Sequence, residues 1–139
     1  MLFTLTMNRN ADFQRLYRQG AFCSLGAALL YAMPNNLPYN RLGITAGKKV
    51  GNAVRRNRAK RIIRAAYAAA EPGAPIGLDI VIVARASLPD QSSLVLTKTL
   101  CEKGIRHLNG VGSGEIPSGK AVQNAPKPKR QPSGSAQKG

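Results

Sequence analysis

The apolar residues of the chain recur with two periods, one typical of helices and one typical of strands. Phe13, Leu16 and Tyr17 stand at i, i+3 and i+4, which predicts a helix from residue 8 or 10 to residue 19. Residues 21–33, AFCSLGAALLYAM, are a mostly apolar stretch that predicts one or two strands.

The second half of the pattern predicts two further helices with strands around them. Residues 41–46, RLGITA, alternate in polarity and predict a third strand. A helix from about residue 52 or 53 to residue 70 follows, and a Pro- and Gly-rich segment ends it. Residues 78–84, LDIVIVA, form a continuous apolar run of strand length, which predicts a central strand. Residues 88–108 give a last helix.

These elements follow one another in the order α-β-β-β-α-β-α. The order predicts an α+β fold, an α/β sandwich in which helices pack on a small sheet. After Leu108 large apolar residues almost vanish, and Gly, Pro, Ser and Lys dominate. We therefore predict a folded domain over residues 1–108 and a disordered basic tail over residues 109–139.

The charge of the chain adds information about its function, because the 139 residues carry a formal net charge of +15. A field of that size implies a polyanionic partner: nucleic acid, an acidic membrane surface or an acidic protein. Between Asp12 and Glu71 the sequence contains no acid, and that interval contains the basic stretch KKVGNAVRRNRAKRIIRAAY at residues 48–67. The positive charge is therefore concentrated in one part of the chain.

A helical wheel separates this stretch into a basic arc and an apolar arc. The basic arc contains Arg56, Asn57, Lys60, Arg61 and Arg64, and the apolar arc contains Ala59, Ile62, Ile63 and Ala66. Arg55 and Arg58 fall near the apolar arc, so we expect Arg55 to reach solvent from the first turn and Arg58 either to snorkel to solvent or to anchor a neighbouring loop. A purely solvated helix would carry compensating acids. Nucleic-acid binding explains their absence better.

Other classes of function find little support in the sequence. Cys23 and Cys101 lack metal-site or disulfide spacing and predict reduced, buried thiols, and His107 is the single histidine. No clustered acid/base or metal-binding set is present, so we predict no catalytic and no metal-binding residue in this chain. The apolar stretch at residues 21–33 is too short to span a bilayer, and a helix precedes it where a signal peptide would have its charged region. We expect no membrane partner.

The stretch RLGITAGKKVGNAVRRNRAKRIIRAAY closely resembles the signature of the bacterial ribonuclease P protein subunit. In that family a strand of the type R-x-G leads through K-K-x-G-N-A-V into a helix bearing R-N-R-x-K-R-x-x-R. Arg41 and Gly43 match the strand, and residues 48–54 and 56–64 match the loop and helix. The resemblance extends over roughly residues 8–108.

The resemblance implies a left-handed β-α-β crossover and a role in a cytoplasmic ribonucleoprotein that removes 5′ leaders from precursor tRNA. The RNA subunit would hold the catalytic Mg²⁺ ions, with no cofactor bound by the protein alone. The protein would be a monomer in a 1:1 complex, with the ribonuclease P RNA subunit and precursor tRNA as its partners.

The resemblance also implies two RNA-binding surfaces. The loop and helix would grip the RNA subunit through Lys48, Lys49, Asn52, Arg56, Asn57, Arg58, Lys60, Arg61 and Arg64. A central cleft lined by Phe13, Tyr17 and Tyr31 would hold the leader by stacking. Spacing alone favours core packing for Phe13 and Tyr17, so the resemblance decides this assignment.

Two alternatives from other classes stay open at this point. A ribosomal or RNA-chaperone protein would share the basic helix and tail without any processing role. A DNA-binding protein would need a helix-turn-helix pair, which the pattern does not supply. The stretch CSLGAALLY is also more apolar than the family's cleft strand often is, which leaves the finer leader contacts open.

Overall fold

The computed structural model describes residues 1–119, which form one five-stranded sheet with helices against both of its faces. The strands are β1 (Thr4–Thr6), β2 (Ala21–Ser24), β3 (Ala28–Pro34), β4 (Asn40–Thr45) and β5 (Leu78–Ala84). The helices are α1 (Asn10–Gln19), α2 (Ala53–Ala70), α3 (Ser93–Thr99) and α4 (Ile105–Ser113). The predicted α+β fold is confirmed.

The sheet is mixed, with the strand order β1-β4-β5-β3-β2. Strands β4 and β5 are parallel neighbours joined through α2, while β3 runs antiparallel to β5 and β2 antiparallel to β3. Strand β1 adds a parallel edge beside β4 and was not predicted, because three residues are too few to show a period. The remaining elements follow the predicted order.

Alternation along the central strands sends side chains to two separate apolar layers. Leu30 and Ile82 pack into the larger layer with Ile63 of α2 and residues of the last helix. Tyr31 and Val81, one position along, pack with α1 on the opposite face. Helix α1 is thus separated by the sheet from the other helices.

The basic helix begins and ends where its sequence dictates. Asn52 caps it, since the side-chain oxygen accepts a hydrogen bond from Arg55 N at 3.0 Å. Pro72 lies in the 3-10 turn Glu71–Gly73 that follows Ala70, and a proline there prevents the helix from continuing. The predicted span of residues 53–70 is confirmed.

A buried carboxylate ties the N-terminal residues to the end of α2. Glu71 is 1% exposed, and its side chain accepts hydrogen bonds from Leu2 N, Phe3 N and Thr4 Oγ1 at 2.6, 2.9 and 2.6 Å. Thr4 Oγ1 also lies 2.8 Å from the Tyr67 hydroxyl. These bonds hold β1 at the edge of the sheet.

The last helix begins and ends about five residues later than predicted, since Leu88–Asp90 form a separate 3-10 turn and α3 starts at Ser93. A π-helical turn, Leu100–Gly104, joins α3 to α4, and α4 continues to Ser113 with Val111 buried. Ile116 then packs against the helix at Gly110, where an added Cβ would lie 2.5 Å from Ile116 Cδ1. The predicted boundary after residue 108 is therefore too early, and residues 120–139 of the predicted tail lie outside the described part of the chain.

Candidate nucleic-acid interface

The predicted cations lie in the 3-10 turn Lys48–Val50 and along α2, and together they are here called the cationic face. Its members are Lys48, Lys49, Arg56, Arg58, Lys60, Arg61 and Arg64. Five of them are exposed, and Arg56 and Lys60 are half-buried. Within residues 1–119 none of the seven forms an ion pair.

The aspartates of the folded part pair with arginines outside the cationic face. Asp79, only 1% exposed, accepts hydrogen bonds from Arg41 Nε at 2.8 Å and from an Arg15 guanidinium nitrogen at 2.8 Å. Asp12 bonds the same Arg15 at 3.0 Å. Burial would raise the pKa of Asp79, but hydrogen bonds from Arg41 and Asn35 and the two positive charges outweigh it and lower that pKa. Asp79 therefore stays ionised, and its bonds with Arg15 fix α1 on the sheet.

The two predicted asparagines have different environments. Asn52 uses its side-chain oxygen for the helix cap, so it contributes to the surface chiefly by fixing where α2 begins. Asn57 is exposed on the helix between Arg56 and Arg58. An amide at that position can donate to phosphate or ribose oxygens.

Of the two arginines that did not fit the helical wheel, Arg55 and not Arg58 anchors a loop. Arg55 does not extend freely into solvent: its Nε donates to Val50 O at 3.0 Å, and its guanidinium forms two hydrogen bonds with Asp90. Arg58 is exposed and makes no hydrogen bond to any of residues 1–119 through its side chain. The loop is therefore anchored by Arg55, because the first turn of α2 lies next to the turn that carries Asp90.

The three predicted aromatic residues come together on the sheet face that carries α1. The ring centroids of Tyr17 and Tyr31 are 5.3 Å apart, and the planes cross at 70°. Phe13 lies over Gly43 of β4, since a Cβ added at Gly43 would approach the Phe13 ring to 2.5 Å. Tyr31, however, is only 3% exposed and contributes more to the core than to an open surface.

Phe22 is the aromatic residue that the sequence interpretation missed. It pairs with Tyr31 across β2 and β3, with ring centroids 5.4 Å apart, and 46% of it is exposed. Alternation along β2 was a usable signal, because Phe22 lies between the buried Ala21 and Cys23. Its neighbour across the sheet could not be known before the strand register.

The sheet surface beside these rings is half-open and leads to the cationic loop. Leu29, Val83 and Thr45 are aligned across β3, β5 and β4, and all three are half-buried. Thr45 is the last residue of β4, three positions before Lys48. We call this floor, together with Phe13, Tyr17, Phe22 and Tyr31, the aromatic groove.

Both tyrosines of the groove are neutral at physiological pH. Burial raises the pKa of Tyr17 to about 12 and outweighs the lowering effect of the nearby Thr45 side chain. Burial, with the neighbouring Tyr17, also raises the pKa of Tyr31 to about 12. Uncharged phenols next to a cationic loop present no negative charge that would repel a phosphate backbone.

Within the described residues, no three or more His, Cys, Asp or Glu side chains are grouped as metal ligands would be. Cys23 and Cys101 are free thiols, but only Cys23 is buried, so the prediction of two buried thiols is wrong for Cys101. His107 Nε2 lies 3.0 Å from Ala21 O and connects α4 to β2. No helix in residues 1–119 has the length and apolarity needed to cross a membrane.

The fold and the unpaired basic surface define a small α+β protein suited to binding a polyanion. A family model described as Ribonuclease P matches residues 3–108. The ribonuclease P protein component of Natranaerobius thermophilus is 38% identical over 81 residues, covering 58% of this chain and 70% of the relative.

Solved structures agree with the sequence match. The RNase P protein of Staphylococcus aureus superimposes with a TM-score of 0.64 at 32% identity, covering 76% of this chain and 95% of the other. The RNase P protein from Thermotoga maritima gives 0.65 at 26% identity, covering 73% and 96%.

The chain belongs to the ribonuclease P protein family. The resemblance seen in its loop and basic helix is thereby confirmed, and with it a function as a ribonuclease P protein component in tRNA processing. The ribosomal or RNA-chaperone alternative is not favoured by these matches.

Proposed function

We propose that this protein binds the RNA subunit of ribonuclease P through the cationic face and the 5′ leader of precursor tRNA through the aromatic groove. The observation that carries the proposal is the charge pairing. Three aspartates form ion pairs with arginines outside the cationic face. Arg15 pairs with Asp12 and Asp79, Arg41 also pairs with Asp79, and Arg55 pairs with Asp90. The seven cations of the cationic face are left without partners among residues 1–119, and phosphates supply the missing negative charge.

The aromatic groove has the composition that a single-stranded nucleic acid requires. Phe22 offers an exposed ring, and Leu29 and Val83 provide an apolar floor next to it. The floor ends where the loop with Lys48 and Lys49 begins, so bases can lie on the rings while the backbone approaches the ammonium groups. The 5′ leader is a single-stranded segment of a precursor tRNA, and we propose it as the segment that this groove binds.

Catalysis in this proposal belongs to the RNA subunit, which would hold the Mg²⁺ ions. The carboxylates of Asp12 and Asp79 are unsuited to that role, because they share Arg15 and Arg41. The protein would instead reduce the repulsion between two polyanions and position the leader. We further propose that it acts as a monomer in a 1:1 ribonucleoprotein in the cytoplasm.

A salt titration of binding tests the cationic face. A transcript of the ribonuclease P RNA subunit is titrated with wild type, Arg61→Gln and Arg64→Gln, and with Arg106→Gln as a matched control from α4. Loss of one phosphate contact should reduce the slope of log K against log salt by about one. Arg106→Gln should keep the wild-type slope. An equal reduction of the slope in all three variants would show that the total charge of the protein, and not the cationic face, governs binding.

A further inference from the structure

Arg55 lies within the basic run, but its side chain is directed toward the protein. It folds back over Gly51, where an added Cβ would lie 2.7 Å from Arg55 Cδ and 2.9 Å from Nε. Gly51 also has φ of +133°, a conformation that side-chain-bearing residues rarely adopt. The glycine of the K-K-V-G-N loop thus provides both the turn and the space that Arg55 fills.

The guanidinium of Arg55 connects this loop to a second segment 35 positions away. Nε donates to Val50 O at 3.0 Å, and the two terminal nitrogens donate to the Asp90 carboxylate at 3.0 and 3.1 Å. Asp90 ends the 3-10 turn Leu88–Asp90, in which Leu88 is fully buried. The loop is therefore attached to a turn that is itself held in the core.

The loop bears the exposed Lys48 and Lys49, and its last residue, Asn52, caps α2. Movement of the loop would change both the lysine positions and the start of the helix. We propose that Arg55 and Asp90 are positioning residues that hold this loop in the geometry that binds RNA, and that Arg55 is not a phosphate contact. This inference rests on the RNA-binding function proposed above for the cationic face.

Asp90 gives the inference its sharpest test, because charge and positioning predict opposite results. Asp90→Asn removes a negative charge next to the cationic face, and by electrostatics alone this loss would strengthen RNA binding. If Asp90 positions the loop, Asp90→Asn should instead weaken binding of the RNA-subunit transcript by roughly two- to fivefold, the scale of an exposed ion pair. Arg55→Gln should weaken it similarly. The double variant should be no weaker than the worse single one, since both remove the same contact.

The salt slope separates positioning from contact. Arg55→Gln and Asp90→Asn should keep the wild-type slope, whereas the adjacent Arg56→Gln should reduce it by about one. Hydrogen exchange adds a readout that needs no RNA. The amides of Val50 and Gly51, which donate to Gly47 O and Lys48 O, should exchange faster in Arg55→Gln and in Asp90→Asn than in wild type. Amides of β5 should not change, which would show that the fold is intact.

Four results would overturn the inference. Tighter or unchanged binding by Asp90→Asn, or a reduced slope for Arg55→Gln, would remove the positioning role while leaving the cationic face in place. Unchanged hydrogen exchange at Val50 and Gly51 would show that the Arg55–Asp90 ion pair does not hold the loop. An unchanged slope for Arg56→Gln would reject the cationic face itself and the inference with it.

Discussion

Phe22 and Tyr31 lie side by side across strands β2 and β3, yet 46% of Phe22 is exposed against 3% of Tyr31. Their ring centroids are 5.4 Å apart, so the two rings form one continuous apolar surface. Only Phe22 is accessible to a base in this arrangement. Tyr31 is buried and packs against the ring of Phe22.

The first prediction separates these two roles. Phe22→Ala should lower the affinity for leader-bearing precursor tRNA by ~1–3 kcal/mol, the value of one base stack, and spare mature tRNA. It should leave the melting temperature nearly unchanged because the ring is half outside the core. Binding of both RNAs, by filter retention or fluorescence, and thermal unfolding are measured on the same samples.

Tyr31→Ala is the matched control for that prediction. Removal of a buried ring should cost about 3–5 kcal/mol of unfolding free energy. Equal loss of precursor and mature tRNA binding in folded Phe22→Ala would contradict the assignment of the groove to the leader.

The second prediction concerns acid stability and Glu71. Burial acts to raise the pKa of Glu71, but hydrogen bonds from Thr4 Oγ1 and from Leu2 N and Phe3 N outweigh it, so the pKa is lowered. A carboxyl group with a lowered folded-state pKa stabilises the fold above its unfolded pKa of about 4.3 and loses that contribution as pH falls through the folded-state value.

Glu71→Gln should therefore destabilise the protein by roughly 1–3 kcal/mol at neutral pH, and the difference from wild type should shrink as the pH is lowered below about 4. Urea unfolding across the range shows this directly. The exposed Glu102→Gln is the control and should behave as wild type throughout. A pH-independent difference for Glu71→Gln would mean that shape, not charge, matters at this position.

The third prediction concerns the C-terminal end of the folded unit. A chain shortened after Asn109 loses Val111, which is 1% exposed, and Ile116, which packs on the helix. Loss of one buried aliphatic side chain costs ~1.5–3 kcal/mol, so the melting temperature should fall on the order of 10 °C. A chain ending at Gly119 keeps both contacts and should melt as the full chain does. Identical melting of the two shortened chains would restore the boundary after residue 108.

The fourth prediction concerns the proposed electrostatic role in catalysis. Divalent cations reduce the same repulsion between RNAs that the protein reduces, so excess Mg²⁺ should shrink the cleavage defect of Arg61→Gln. The RNA subunit alone should also keep some activity at high Mg²⁺. Loss of a general acid or base would instead leave a defect in the chemical step at every Mg²⁺ concentration.

The measurement is single-turnover cleavage of precursor tRNA at saturating enzyme, over a Mg²⁺ series, with protein omitted, wild type or Arg61→Gln. Arg106→Gln again serves as the matched charge removal. An absolute requirement for protein at all Mg²⁺ concentrations would place a catalytic side chain in this chain.

The sequence by itself determined the local elements and the location of the charge. The i, i+3, i+4 spacing of Phe13, Leu16 and Tyr17 specified α1, and the apolar run LDIVIVA specified the central strand β5. The basic helix was bounded correctly because caps and prolines act on adjacent residues. These signals are local, so they can be interpreted without knowledge of the tertiary structure.

The tertiary structure decided which side chains of that pattern are available. Arg55 and Arg58 look alike in the sequence, and only the position of Asp90, 35 residues from Arg55, commits one of them to the loop. Tyr31 is buried because it lies on the inner strand β3 and packs with α1, whereas Phe22 is exposed on the edge strand β2. Pairings between distant segments depend on strand register and helix docking, which the whole chain sets together and no local period encodes.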